Sequence, residues 1–199
     1  MNITKKGFTL IELLVVISII GLLAASGLAV FTSAMQRGRD ARRLSDIDAL
    51  KSALFQYYTD HGEFPDETGP LGVGGWETSY NGDFMEYLAP YMQEVPVDPL
   101  NTIKSPFDFF SPGPGEDGSF FYAYHNYNWA GSMSYYGCGN SGTLAVLAIR
   151  AFESIDGASQ PHAKCGPIPC LCAGTPCGGN PNVCRDWTSE YDYSIILQP

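Results

Sequence analysis

Hydrophobic and polar positions divide the chain into three patterns. From Phe8 to Phe31 the run FTLIELLVVISIIGLLAASGLAVF carries one charge, Glu12, in 24 positions. At 1.5 Å per residue a helix of that length reaches about 36 Å, enough for a hydrocarbon core of roughly 30 Å. Beyond it the pattern becomes amphipathic. Leu44, Ile47, Leu50, Leu54 and Tyr57 or Tyr58 recur at spacings of three and four, with Asp46, Asp48, Lys51 and Gln56 off that stripe. Gly62 supplies a helix stop and Pro65 blocks continuation, so the pattern predicts one helix from about Phe8 to about Asp60, near 80 Å long. Residues 66–82 read as loop. Phe84, Leu88 and Tyr91 suit the inner side of a short helix that ends before Val95-Pro96. Residues 120–127, 143–152 and 191–197 are aromatic, β-branched or alternating and predict three strands. Their Gly- and Pro-rich links favour an antiparallel sheet laid on the long helix, an α+β head.

Charge sharpens this division. The 199 residues carry a formal charge of −10, and Leu44–Pro199 alone hold 19 acids against 5 bases. That excludes nucleic-acid binding through a general basic field. The bases concentrate at the two ends of the apolar run, as Lys5 and Lys6 before it and Arg37, Arg39, Arg42 and Arg43 after it. Lysines ahead of the span leave the N-terminus in the cytoplasm and the acidic body outside. A cleaved secretory signal has an apolar core of about 7–15 residues, shorter than this run. A plain signal anchor fits the length but leaves Glu12 without a reason, and a carboxylate in lipid calls for a partner. The arginines are expected either as a solvated stretch near lipid headgroups or as partners for acidic heads of neighbouring molecules.

The residues Lys5-Lys6-Gly7-Phe8-Thr9-Leu10-Ile11-Glu12-Leu13-Leu14-Val15-Val16-Ile17 resemble the leader junction of type IV pilins and type II secretion pseudopilins. The resemblance implies that a membrane aspartyl peptidase cuts between Gly7 and Phe8 and methylates the new N-terminal Phe8. It also implies a single-pass membrane protein that later enters a homo-oligomeric helical filament through a secretion or pilus assembly platform. Glu12 and the amine of a neighbouring Phe8 would each be an isolated charge in lipid, and pairing them removes both penalties. Gly21 matches a glycine position common in the family and is a weak point where the helix can extend; the proline that many pilins carry further on is absent, with Ala29 in that neighbourhood. Residues 57–65 are similar to the helix exit of the major pseudopilins, and Val95-Pro96-Val97-Asp98-Pro99-Leu100-Asn101 resembles their P-x-D-P turn. The implied fold is pilin-like, with residues 1–7 as leader, 8–31 as membrane and assembly helix, 32–62 as its amphipathic continuation and 63–199 as head.

Six cysteines, Cys138, Cys165, Cys170, Cys172, Cys177 and Cys184, make the stretch 138–184 distinctive. Their C-x26-C-x4-C-x-C-x4-C-x6-C spacing fits zinc knuckles poorly even with His162 nearby, so outside the membrane disulfides are expected. Six cysteines allow 15 pairings, and spacing does not choose among them. Major pseudopilins bind calcium in a head loop, and by that resemblance Asp98, Asn101 and Asp108, or Glu116 and Asp117, are candidate ligands for a structural Ca²⁺. No other cofactor is implied. His61, His125 and His162 are scattered, and no nucleophile–base, phosphate-loop or HExxH pattern is present, so enzymatic chemistry is not expected. Two functional classes remain, a structural filament subunit and a membrane-anchored tip subunit or adhesin whose Cys-rich loop holds a ligand. Glu12 favours the first, because a tip subunit has no need to pair upward. The 26 aromatic residues are spread through the expected strands and are read as core packing.

Overall fold

The computed structural model describes residues 7–67, 75–104, 118–128, 143–163, 171–172, 175–176, 187 and 190–198. One helix, α1 (Leu10–His61), runs 52 residues, unbroken through Gly21, Ser26 and Gly27. It starts two residues later than the apolar run because Thr9 caps it: the Thr9 side chain accepts from Glu12 N–H at 3.3 Å. The Glu12 carboxylate returns the contact, accepting from Thr9 N–H at 2.8 Å and from the Thr9 hydroxyl at 2.6 Å. Val15, Val16, Ile17, Ile19 and Ile20 would suit a strand in water, but an apolar surrounding demands internally satisfied backbone, which a helix provides. The Ser18 and Ser26 hydroxyls donate to the carbonyls of Leu14 and Leu22 at 2.8 and 2.9 Å, so neither leaves a free polar group in that run. The stop is Gly62, at φ +80°, whose N–H donates to Tyr58 at 2.8 Å.

The halves of α1 meet different surroundings. Leu10, Ile11, Leu22, Val30 and Phe31 stand 62–88% exposed, whereas Ile47, Leu50 and Leu54 are wholly buried against the sheet. That sheet comprises β1 (Glu77–Thr78), β2 (Tyr122–Tyr127), β3 (Leu144–Ile149) and β6 (Tyr193–Leu197), in spatial order β1-β2-β3-β6 with every pairing antiparallel. The register places Tyr124 opposite Leu147, and Leu147 opposite Ile195. Tyr122, Tyr124, Ala145, Leu147, Ile149 and Leu197 face α1 and close a core with Phe64, Phe84, Met85 and Leu88. The opposite face is also covered. Trp76, Trp187 and Tyr191 pack there on Ala123, Tyr127, Val146 and Ala148. Burial on both faces explains why LAVLAI in β3 shows no alternation. A short ribbon, β4 (Leu171–Cys172) with β5 (Thr175–Pro176), lies apart from this sheet.

The expected α+β arrangement of a long helix on an antiparallel sheet is present, with three local corrections. The stretch 66–82, expected as loop, contributes edge strand β1 and the fully buried Trp76. Two residues of pairing are too short to alternate, so only a tryptophan among glycines marked them. The helix expected around Phe84–Tyr91 is a single 3₁₀ turn at Glu86–Leu88. Met85 precedes it at φ +51°, and its N–H donates to the Glu77 carboxylate at 2.6 Å, which bends the chain before a longer helix can form. The strands are also shorter than expected, at Tyr122–Tyr127, Leu144–Ile149 and Tyr193–Leu197, although Arg150 N–H still donates to the Phe121 carbonyl at 2.9 Å just beyond β3. Among the cysteines, Cys172 has its backbone in β4; the side chains of all six, and hence the expected disulfides, lie outside the described residues.

Truncating Leu50 to Ala removes a wholly buried side chain at the helix–sheet contact and should cost about 2–5 kcal/mol. Thermal unfolding of the full chain in detergent, followed by tryptophan fluorescence from buried Trp76 and Trp187, measures it.

Candidate functional site

Two regions of α1 carry chemistry. The first is its start. Phe8 is 82% exposed, and Phe8, Ile11, Glu12, Val15 and Val16 line a shallow open groove whose wall is almost entirely apolar. Among the described residues the Glu12 carboxylate accepts from Thr9, through one oxygen, and the group has lone pairs for an additional donor. A Cβ placed on Gly21 would meet nothing within 4 Å, so no contact in the isolated chain requires that glycine. Among the described residues α1 is the one helix long and apolar enough to cross a membrane.

The second region is the foot of the head, where the arginines sort into distinct roles. Arg43 is fully buried, and its fork donates to Asp98 from Nε at 2.7 Å and from Nη2 at 3.0 Å. Its remaining nitrogen, Nη1, donates to Asp40 at 2.7 Å and to Glu153 at 3.0 Å. Phe120 closes the other side, with the guanidinium carbon 5.0 Å from its ring centre. Arg39 grips Glu153 with two bonds of 2.7 and 2.5 Å. Asp40, also fully buried, accepts from the N–H groups of Glu153, Ser154 and Ile155 at 3.0, 2.7 and 3.2 Å and from the Ser154 hydroxyl at 2.7 Å. Arg42 stays exposed in a 3.5 Å pair with Asp46, which also accepts from the Tyr122 hydroxyl at 2.9 Å. Arg37 is exposed and has no ion-pair partner among the described residues. The expectation of one solvated or intermolecular cluster therefore needs correction. Arg39 and Arg43 tie α1 to its own head across 55 to 114 residues of sequence.

The local electrostatics follow from these contacts. Burial works against the Arg43 charge, but the Asp98 fork, aided by Glu153 and Asp40, outweighs it and raises the guanidinium above its ordinary value. Burial alone would raise the Asp40 carboxyl. The backbone N–H of Glu153 and the donors of Ser154 outweigh that and hold it below the usual range. Arg39 lowers Glu153 in the same way. Asp98 and Asn101, candidate calcium ligands, are committed elsewhere. Asp98 Oδ1 accepts from Leu100 and Asn101 N–H at 2.8 and 3.2 Å besides Arg43, and the Asn101 amide exchanges bonds with Ser79 at 2.8 and 3.0 Å. Asp108, Glu116 and Asp117 lie outside the described residues. No group of three or more His, Cys, Asp or Glu suited to a metal occurs among the described residues.

The histidines are apart from one another. His61 stacks on Tyr57 at 4.0 Å, His125 pairs with Glu67 at 2.5 Å beside Trp76, and His162 Nε2 meets the Gly157 carbonyl at 2.9 Å. Sequence reasoning missed Asp40, Glu153 and Ser154. The usable signal was weak: Asp40 is the lone acid inside an arginine-rich helical turn.

Comparison with known proteins covers both regions. A prokaryotic N-terminal methylation motif matches residues 4–28, and the model for the PilW C-terminal region matches residues 34–105. The type IV major pilin protein PilE1 of Neisseria gonorrhoeae is 35% identical over 98 residues, covering 49% of this chain and 51% of that one. A fimbrial protein of Neisseria meningitidis is 37% identical over 86 residues, covering 43% and 50%. Thus the chain spans about half the length of these pilins. The type II secretion system core protein G of Escherichia coli is 30% identical over 122 residues, covering 58% of this chain and 77% of that protein. No solved structure matches the chain.

Asp40 and Glu153 titrate below their unfolded values, so their stabilisation is complete above the ordinary carboxylate range near pH 4. It is lost as pH falls through the lower folded values. The contribution of Asp40 and Glu153 to stability in detergent, read as the difference from an Asp40→Asn, Glu153→Gln chain, should therefore be constant from about pH 7 to 5 and fall below about 4. An Arg43→Met chain, with Asp40 and Asp98 left buried and unpaired, should lose about 3–5 kcal/mol at pH 7 and show a shallower acid dependence.

Proposed function

The chain belongs to the type IV pilin and type II secretion pseudopilin family, and from that membership we propose that it is a structural subunit of a membrane-derived helical filament. The observation that carries this is the division of α1. Its first half is apolar, exposed on every side and interrupted by one carboxylate, while its second half is bound to the head. A half-buried helix of this kind is stable in lipid before assembly and among other copies of itself afterwards. In this reading the membrane peptidase removes residues 1–7 and methylates Phe8, with the N-terminus cytoplasmic and the head outside. The relatives include a major pilin and a secretion core protein, and the proposal is made at the level the two share.

Glu12 is the register device in this proposal. Thr9 satisfies the carboxylate in the single molecule, which eases its passage into lipid. In the filament the exposed Phe8 amine of a neighbour takes the free lone pairs, and both charges lose their isolation. Gly21, whose surroundings are open, lets neighbouring helices approach closely or the helix extend. In this reading the head is not a catalytic site, and its Asp98 and Glu153 hold the α1 residues Arg43 and Arg39. The six cysteines bridge one another in the oxidising space outside the membrane.

Intact mass of purified protein should correspond to a chain beginning at N-methylated Phe8; a start near Ala25 would indicate ordinary signal cleavage. Mass mapping without reductant should find no free thiol, and zinc bound to titratable thiols would overturn the disulfide assignment. Glu12→Ala should leave membrane insertion intact, since it removes a carboxylate that lipid opposes in the first turn of α1. It should abolish assembly, because the unpaired amine of the neighbour costs roughly 3–5 kcal/mol. Normal filaments from the Glu12→Ala chain would refute the pairing role.

A further inference from the structure

Exposed apolar residues on α1 extend from Leu10 to Met35, about 39 Å of helix by rise, against a hydrocarbon core of roughly 30 Å. With the Phe8 end seated at the cytoplasmic side, the last turns stand beyond the lipid. There Val30, Ser33, Ala34 and Arg37 line a shallow groove along one helix face. Val30, Phe31 and Met35 around it are 71%, 62% and 48% exposed, and Arg37 ends it with a cation that has no ion-pair partner among the described residues. A second exposed apolar surface sits on the head. Val97, Leu100 and Ile103 are 40%, 37% and 36% exposed and recur every three residues. Exposed Glu94 precedes them, likewise without an ion-pair partner among the described residues.

That ridge is preorganised. Asp98 caps Leu100 and Asn101 N–H, Asn101 holds φ +44° through its two bonds to Ser79, and Thr102 bridges to Phe120. Its position is fixed too, because Asp98 is locked to Arg43. Arg43 lies between nine and ten residues beyond the middle of the groove, an offset of about 14 Å by helical rise. A molecule's ridge therefore sits above its own groove. We propose that the Val97–Leu100–Ile103 ridge of one molecule seats in the Val30–Arg37 groove of a second copy displaced about 14 Å toward the head end, with Glu94 opposite the second copy's Arg37. This rests on the filament reading and deepens it. Ridge and groove are different surfaces, so the contact is heterologous and repeats without closing, which is the geometry of an open fibre. The Glu12–Phe8 pairing spans four residues, about 6 Å of rise, and therefore joins a different pair of copies.

Photocrosslinking tests the contact. Leu100 is replaced by a photoreactive benzoylphenylalanine in the full chain, sheared filaments are irradiated, and joined peptides are sequenced. The expected product joins the 97–103 segment to residues 28–37 of another copy. Filaments whose crosslinks map elsewhere, to lipid or to another protein overturn the ridge–groove contact and leave the filament reading standing. Absence of filaments from the unsubstituted chain refutes both. Charge exchange provides a second readout that does not alter the ridge: Arg37→Glu should lower filament yield about fivefold, the factor that roughly 1 kcal/mol for an exposed pair implies, and adding Glu94→Arg should restore it. Unchanged yield in Arg37→Glu, or no recovery in the double variant, overturns the pairing.

Discussion

Burial of Arg43 among Asp40, Asp98 and Glu153 is the constraint on which the rest of the molecule depends. A lone guanidinium in that position would be strongly unfavourable, and so would each carboxylate. Arg43 and Arg39 offset two of the three carboxylate charges, and the N–H groups of Glu153, Ser154 and Ile155 with the Ser154 hydroxyl stabilise Asp40 by hydrogen bonds. Apolar packing along Ile47, Leu50 and Leu54 supplies most of the attraction between helix and sheet, but it is non-directional and would tolerate sliding. The ion network does not tolerate it. A one-residue shift of α1 would move Asp40 from its backbone cradle and Arg43 from the Asp98 fork. The network thereby sets where the head begins along the helix, and so how much apolar helix is left below it.

The same helix solves the problem of polar groups in two ways. Below the head, Glu12, Ser18 and Ser26 are satisfied by atoms within four residues, which suits a segment that must exist in lipid without partners. At the foot of the head, Arg39, Asp40 and Arg43 are satisfied by residues far away in sequence, which suits a junction that exists only when the head is folded. In the proposed reading, insertion is thus independent of head folding, while the spacing between the apolar half of α1 and the head is not. A filament subunit needs both properties.

Local signals in the sequence were legible where local physics decided the outcome. The apolar run, the stripe through Ile47, Leu50 and Leu54, and the Gly62 stop all depend on neighbours within a few residues, and α1 follows them closely. The LAVLAI run was recognisable as a strand, though burial of both its faces followed only from where Trp76, Trp187 and Tyr191 arrive. The two-residue β1 is too short to show alternation. The arginine cluster was visible, but its members look alike in sequence. Only the fold shows that Arg43 is buried beside residues 55 and 110 positions away whereas Arg37 remains free of ion pairs among the described residues. Asp98 was singled out for its P-x-D-P turn, and its partner in the described structure is this guanidinium.

The central claim is that α1 is built to leave lipid and pack among copies of itself while its head remains attached. Helical reconstruction of fibres sheared from cells that produce this chain, with peptide identification of the fibre material, tests it most directly. The account predicts fibres composed of this chain, with α1 helices bundled along the axis and the β-sheet heads arrayed outside. Fibres that lack this chain, with the protein remaining dispersed in the membrane fraction, would contradict it.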